Sequence, residues 1–471
     1  MLTKDYNSSL NISGSWMTLH PYTYIPIGAV LKTLKRNIKI RPQIEQISVF
    51  ESYGRVLAED VKSPINVPRY DSSHMDGFAV LADDLRHASN LTPITLNVVG
   101  GGGATLGKFS NYILRSGQAY RISTGGYLPH GSNAVVPNEY TIESKGKIEI
   151  IASFGKGSHI SPSGGNILRN SLLFSQGMTL RGQDVALLSL VGINKIHVYQ
   201  KPKVAIIPTG DELTDNLKEV KYGKVLDTNS HFISKLVLEA GGLPIDLGIS
   251  PDDINRIKKK LISALDKADL VLTIAGSSVG KYDFVEQSIN SLGKPGVLAH
   301  GVKLDRGRVT GVGALRGKPI IMLPGPIQGA TNAFIAFTRP LLGYLLGLPE
   351  SNGLVIRGKL MENWEARKRF RNFTKIVYVF AWETKAGVIK ASPIVGDTAD
   401  MTVLTRANGY LFLPENKTSI AAGEKVKINI LPGLSCPSGC SGDFMSKGSF
   451  IKKQIITMVK PSHERNKKRL V

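Results

Sequence analysis

Lys203-Val-Ala-Ile-Ile-Pro-Thr-Gly-Asp-Glu-Leu213 and Leu270-Val-Leu-Thr-Ile-Ala-Gly-Ser-Ser-Val-Gly-Lys-Tyr-Asp283 decide how this chain is read. Each starts as a continuous apolar run and breaks into a polar, glycine-containing loop. Between them Phe232, Ile233, Leu236, Val237 and Ala240, then Ile254, Ile257, Leu261, Ala264 and Leu265, recur at helical spacing. Short apolar runs alternating with such helices predict βαβ units around a buried parallel sheet. In that architecture ligands collect beyond the carboxyl ends of the strands. Both polar loops fall there.

Each acidic loop has two readings. Thr209-Gly-Asp-Glu212 either starts a helix, capped by Thr209 or Asp211, or offers carboxylates to Mg²⁺ beside a phosphate. In Pro251-Asp-Asp253, Asp252 either caps the next helix or joins the same mouth. Gly276-Ser277-Ser278-Val279-Gly280 can turn N–H groups and two hydroxyls towards an anion, with Asp283 in reach. Three acidic loops on one sheet edge favour the functional reading. Met75-Asp76-Gly77 taken alone reads as a turn, with Gly77 at positive φ and Asp76 bonding backbone amides. Gly102-x4-Gly107-Lys108 approaches a P-loop, but Phe109 replaces the hydroxyl that would hold Mg²⁺, so a glycine-rich turn is the better reading. No Ser/His/Asp set can be argued from the scattered His74, His130, His231 and His300.

At 471 residues the chain is too long for a single core. Its 59 Lys+Arg against 37 Asp+Glu, formally +22, favour anionic or phosphorylated ligands without naming one. Cys436 and Cys440 are too few for a disulfide framework or a four-ligand zinc site, which suits a reduced, cytoplasmic setting. The longest apolar stretch, Ala333 to Leu348, is interrupted by Arg339-Pro340 and too short for a bilayer. The expectation is a soluble protein without membrane or nucleic-acid partners.

The expected order is a polar extension (1–21), then segments 22–65 and 166–202 flanking a β-rich domain II (66–165). An α/β domain III (203–350), a β-barrel domain IV (351–432) and a basic tail (433–471) follow. The fold class is thus α/β and β multidomain, with a doubly wound α/β domain, a β-rich insertion and a small C-terminal barrel.

Several motifs together resemble the molybdopterin molybdenumtransferase family (MoeA-type proteins and the homologous domain of gephyrin) over roughly residues 22–432. They are Gly54-Arg-Val-Leu-Ala-Glu-Asp60, Ser73-His-Met-Asp-Gly-Phe-Ala-Val80, Arg121-Ile-Ser-Thr-Gly125, Thr209-Gly-Asp-Glu-Leu213, Gly248-Ile-Ser-Pro-Asp-Asp253 and Ser277-Ser-Val-Gly-Lys-Tyr-Asp283. The resemblance implies a four-domain homodimer, in which 22–65 and 166–202 form one split linker and dimerisation domain I, with the active site between domain III of one subunit and domain II of its partner. Domain III would bind molybdopterin. The implied reaction is insertion of molybdate, or tungstate, into adenylated molybdopterin with release of AMP, using Mg²⁺ or another divalent cation. Other cofactor-biosynthesis proteins are implied as partners.

By motif, Asp76, Thr124, Glu212, Asp252 and Asp283 are the implied catalytic residues, the last three also holding the metal. Thr209, Gly210, Gly276, Ser277, Ser278, Gly280, Arg306 and Arg308 would bind substrate. The chain also departs from the family. Asp305-Arg-Gly-Arg-Val309 stands for Lys-Pro-Gly-Lys-Pro, and Leu323-Pro-Gly-Pro-Ile-Gln-Gly329 loses a serine. Ser171-Leu-Leu173 loses carboxylates, and Thr398-Ala399 replaces a serine pair. Arg306 and Arg308 can still grip a tetrahedral oxyanion with their forks, although Asp305 opposes it. Two alternatives stand beside the enzyme: a diverged paralogue that binds molybdopterin as a module, and a molybdopterin adenylyltransferase of the same pathway.

Overall fold

The computed structural model describes residues 23–101, 111–276, 284–349 and 353–431. The chain forms two compact units, residues 44–199 and residues 1–43 with 200–471. Ser277, Ser278, Gly280, Asp283, the Gly102–Lys108 turn, both cysteines and the basic tail lie outside the described residues.

Helix α1 (Ile27–Asn37) comes first. Ile27, Val30 and Leu34 share one helical face and are buried in the core of the larger unit, against Val312 and Ala314 among others. Its buried face belongs to the unit that contains residues 200–471.

The 44–199 unit is built on a mixed sheet of β1 (Gly77–Val80), β2 (Ile94–Gly100), β3 (Gln118–Ile122), β4 (Ala134–Pro137), β5 (Thr141–Ser144) and β6 (Lys147–Ile150). The strand order is β4-β1-β3-β2-β6-β5. Phe78, Val80, Val136, Ile148 and Ile150 fill its core. Gly77 pairs with both Ile122 and Pro137. A Cβ there would sit 2.0 Å from the Val136 carbonyl oxygen. Close backbone approach is therefore what demands glycine, and the positive φ expected from the sequence is not found. Elsewhere in this unit Ile44–Ser48 pairs with Lys195–Tyr199. Helix α2 (Gly182–Leu190) buries Leu188 beside Val49, Leu57 and Val198.

In the larger unit β7 (Lys203–Pro208), α3 (Asn229–Glu239), β8 (Leu243–Asp246), α4 (Ile254–Lys267), β9 (Leu270–Ile274) and α5 (Phe284–Ser291) follow in turn. Three further strands, β10 (Gly296–His300), β11 (Gly311–Leu315) and β12 (Lys318–Leu323), complete a six-stranded sheet of order β8-β7-β9-β12-β11-β10. The first four strands are parallel, and β11 and β10 add an antiparallel edge. Alternate residues point to opposite faces. Val204, Ile206, Leu272 and Leu323 pack with α3 on one side, and Ala205, Ile207, Val271 and Met322 with α4 and α5 on the other. The sheet is thus doubly wound. From β7 the chain leaves by α3 on one face and returns to β9 by α4 on the other. The carboxyl ends of β7 and β9 are therefore a switch point.

A long helical run follows: α6 (Ile327–Ala333), a π-turn (Phe334–Thr338) and α7 (Arg339–Leu345). The last strands, β13 (Val355–Leu360), β14 (Lys375–Glu383) and β15 (Ile389–Pro393), then β16 (Gly409–Leu413) and β17 (Lys425–Ile430), close a barrel of order β13-β15-β14-β16-β17. Helix α8 (Met401–Arg406) lies between β15 and β16. Lys375 is 1% exposed. Its Nζ donates to the carbonyls of Arg371 (2.6 Å), Glu415 (3.0 Å) and Lys417 (2.8 Å), which satisfies a charge otherwise costly to bury. No helix among the described residues is long and apolar enough to cross a membrane.

Candidate functional site

The strand ends hold the first cluster. Thr209, just past β7, donates its N–H (2.9 Å) and its hydroxyl (3.3 Å) to the Ile274 carbonyl of β9. Gly210 N–H donates to Ser250 O at 3.1 Å. The loop is thereby tied to a neighbour on each side. It runs on through a turn into the short strand Leu213–Thr214, so the helix start that the sequence allowed is not formed. Gly276 has φ +67°, and a Cβ there would lie 2.3 Å from the Thr209 hydroxyl. Ala275 is also left-handed, at φ +67°. That conformation costs a residue with a Cβ about 1 kcal/mol.

Asp253 is the helix cap: it accepts from Arg256 N–H at 2.8 Å, which leaves Asp252 for other work. The Asp252 N–H donates to Asp211 Oδ1 at 3.1 Å. One carboxylate oxygen of Asp252 is buried and has no hydrogen-bond partner among the described residues. Burial first, then the charges of Asp211 and Glu212, push its carboxyl above the ordinary range. The like charges of Asp211 and Glu212 make a proton or a cation welcome at Asp252, but the three carboxylates do not converge into a ligand set of their own. No set of three or more His, Cys, Asp or Glu side chains able to hold a metal occurs among the described residues. Asp283, the expected further carboxylate, falls outside them.

In the 44–199 unit Asp76 and Thr124 are brought together. The Asp76 carboxylate accepts the Thr124 N–H at 2.7 Å and its hydroxyl at 3.1 Å. The β1–β3 pairing sets this up, by placing the residue before β1 beside the turn after β3. The sequence expectation that Asp76 bonds a backbone amide holds.

The guanidinium side of the larger unit has a different character. Arg306, half-buried at φ +52°, donates to the Gln328 side-chain oxygen. Gln328 is fully buried, and its amide donates to the carbonyls of Asp397 and Asp400. Asn332 donates to the carbonyls of Asp305 and Arg306, both at 3.2 Å, and accepts from the Tyr378 hydroxyl at 2.9 Å. Asp305 pairs with Arg367. Arg367, Arg308 and Arg369 lie 4.8, 5.5 and 5.6 Å from the Phe370 ring centroid, a crowding of cations around one aromatic ring. Burial, then Arg367, lowers the Arg306 pKa, while Asp305 and Asp397 oppose the shift. Arg308 Nε is buried with no partner among the described residues. The sequence singles out Arg306 and Arg308 but assigns no role to Gln328, Arg367 or Phe370. Lys368–Phe370 is a short 3₁₀ turn that reaches this corner only by tertiary packing, and no spacing announces it.

Three family descriptions match this chain in succession. They are the MoeA N-terminal region (domain I and II) over residues 25–192, a probable molybdopterin binding domain over 205–344 and the MoeA C-terminal region (domain IV) over 357–431. A molybdopterin molybdenumtransferase of Staphylococcus epidermidis is 30% identical over 405 residues, covering 85% of this chain and 94% of that protein. One from Staphylococcus aureus is 28% identical over 407 residues, 86% of this chain and 95% of that one. The crystal structure of a molybdopterin biosynthesis MoeA protein from Pyrococcus horikoshii superposes with a TM-score of 0.75 at 31% identity, over 88% of this chain and 100% of that one. With the matches in order along the sequence and nearly the whole of each relative spanned, the chain belongs to the MoeA family of molybdopterin molybdenumtransferases.

Proposed function

We propose that this protein is a molybdopterin molybdotransferase of molybdenum cofactor biosynthesis, inserting molybdate, or tungstate, into adenylated molybdopterin with release of AMP. Besides family membership, the observation that carries the reading is Asp252: under the charge of two neighbouring acids, freed from capping, with a buried oxygen that has no partner among the described residues. Glu212 and Asp252, with Asp283, would hold a divalent cation such as Mg²⁺. Bound there, it supplies neutralisation of the phosphoanhydride charge. The carboxylates orient the attacking water by accepting its hydrogens. Asp76 fixes the Thr124 hydroxyl, which is offered to the substrate as a positioned polar group. Thr209 and Gly210, with Gly276, Ser277, Ser278 and Gly280, would cradle the anionic pterin. Arg308, whose Nε–H has no partner among the described residues, and Arg306 would take the oxyanion. The protein would act as a homodimer, with the four-domain partition given from the sequence.

A second reading is a paralogue that binds the pterin nucleotide but no longer inserts metal. The tie of Arg306 to Gln328 and of Arg367 to Asp305 favours it, since both guanidiniums already have internal partners. Purified protein incubated with adenylated molybdopterin, Mg²⁺ and molybdate or tungstate separates the two. AMP release that depends on the oxyanion supports insertion, and tight binding without AMP supports the paralogue. ATP-dependent adenylation of free molybdopterin would replace both with an adenylyltransferase. Sedimentation of the same sample tests the dimer.

A further inference from the structure

The larger unit has a second cavity that none of this uses. It measures about 330 Å³ and is walled by Leu236 of α3, Phe334 and Ile335 of the π-turn, Met401 and Leu404 of α8, and the ring of Tyr378. That volume and apolar lining suit a small-molecule site, which typically spans about 300–1,000 Å³. Its wall is also the irregular part of the long helix. A π-turn breaks the regular hydrogen-bond ladder and often marks a functional site. Here the fully buried Thr338 hydroxyl within it has no partner among the described residues.

Two charged groups also line the cavity and define what it accepts. Arg339 directly follows the π-turn and donates a long hydrogen bond, 3.3 Å, to the Tyr410 hydroxyl. A guanidinium carries five N–H donors, so a fork remains for a second acceptor. Glu239 sits at the end of α3. Loss of hydration raises its carboxyl pKa more than Arg339 lowers it. This acid repels a doubly charged head group on Arg339 about twice as strongly as a singly charged one, so a single negative charge is the better fit.

We propose that this cavity binds a small apolar monocarboxylate, with its hydrocarbon body against Leu236, Phe334 and Leu404 and its carboxylate on Arg339 and the Tyr410 hydroxyl. The site is independent of the molybdopterin reading, because none of those residues is assigned to that chemistry.

Octanoate, octan-1-ol and octylamine titrated into the full chain by calorimetry test it. Octanoate should bind saturably at one site, at least about tenfold tighter than the alcohol or the amine. Arg339→Gln should abolish that preference, and Leu404→Trp, which fills the cavity, should abolish binding of all three, with both melting curves kept as folding controls. The proposal is overturned by absence of saturable octanoate binding to the wild-type chain, or by equal affinity for the three head groups. Binding that survives Leu404→Trp in a folded protein overturns it too.

Discussion

Asp252 stands beside two other acids with a buried oxygen that has no partner among the described residues, whereas Arg306 stands among its own partners, with Gln328 on its fork and Asp305 beside it tied to Arg367. The acidic mouth rests on ends of parallel strands, whose ladders fix the backbone whatever the side chains do. That rigidity keeps Asp252 close to Asp211 and Glu212 despite their like charges. The basic corner is assembled from a loop, a helix and a 3₁₀ turn, and two of its guanidiniums, Arg306 and Arg367, already have partners within the unit. Each carries one strained residue, Ala275 or Arg306, both left-handed without being glycine. The difference teaches where the ligand's contribution lies. A cation would complete the first region, while an oxyanion has to compete for the second.

The largest effect should come from the acidic side. Glu212→Gln or Asp252→Asn should slow AMP release by about 100-fold or more in single-turnover assays without lowering the melting temperature. Near-normal turnover would remove the distinction drawn here. Arg308→Ala should raise half-saturating molybdate about tenfold with less change in turnover, since its Nε–H has no partner among the described residues. Gln328→Ala unties Arg306. It should cost about 1–2 kcal/mol of stability in denaturant titration, yet lower half-saturating molybdate. A rise instead would mean that Gln328 positions Arg306 rather than competing for it.

The pH dependence sharpens the contrast further. Because the Asp252 carboxyl is raised in the folded state, the native protein holds that proton more tightly than the unfolded chain. Its contribution therefore favours folding at low pH. It declines as pH rises from the ordinary carboxylate range through the raised one, and is constant above. Melting curves across this window should show that slope in the wild type and lose it in Asp252→Asn, and Mg²⁺ should flatten it in the wild type alone. Last and smallest, Ala275→Gly should add about 1 kcal/mol by relieving the left-handed strain.

Much of this was legible in the sequence, for identifiable reasons. Val204–Ile207 and Leu270–Ile274 announce buried parallel strands, and period alone places the faces of α3 and α4. Parallel order then delivers Thr209 and Ser250 side by side. The antiparallel edge, β10 and β11, carries no comparable run and passes unseen. Whether Asp252 or Asp253 caps α4 is not a sequence question, since either fits, and one hydrogen bond to Arg256 decides it. Gly77 is read as a turn glycine because its real constraint, the Val136 carbonyl, is distant in sequence. The Gln328 and Arg367 contacts fail to show for the same reason: they bridge 22 and 62 positions with no local pattern.

The run from α6 through the π-turn has one more consequence. Gln328 and Asn332 point to the Arg306 loop, while Thr331, Phe334 and Ile335 line the cavity on another side. Adding one residue between Gln328 and Thr331 would swivel everything downstream by about 100°, carrying Asn332 away from its carbonyls and Phe334 out of the hollow together. This segment can accept exchanged side chains but not a changed length, so its residue count should be as tightly held as any chemistry it supports.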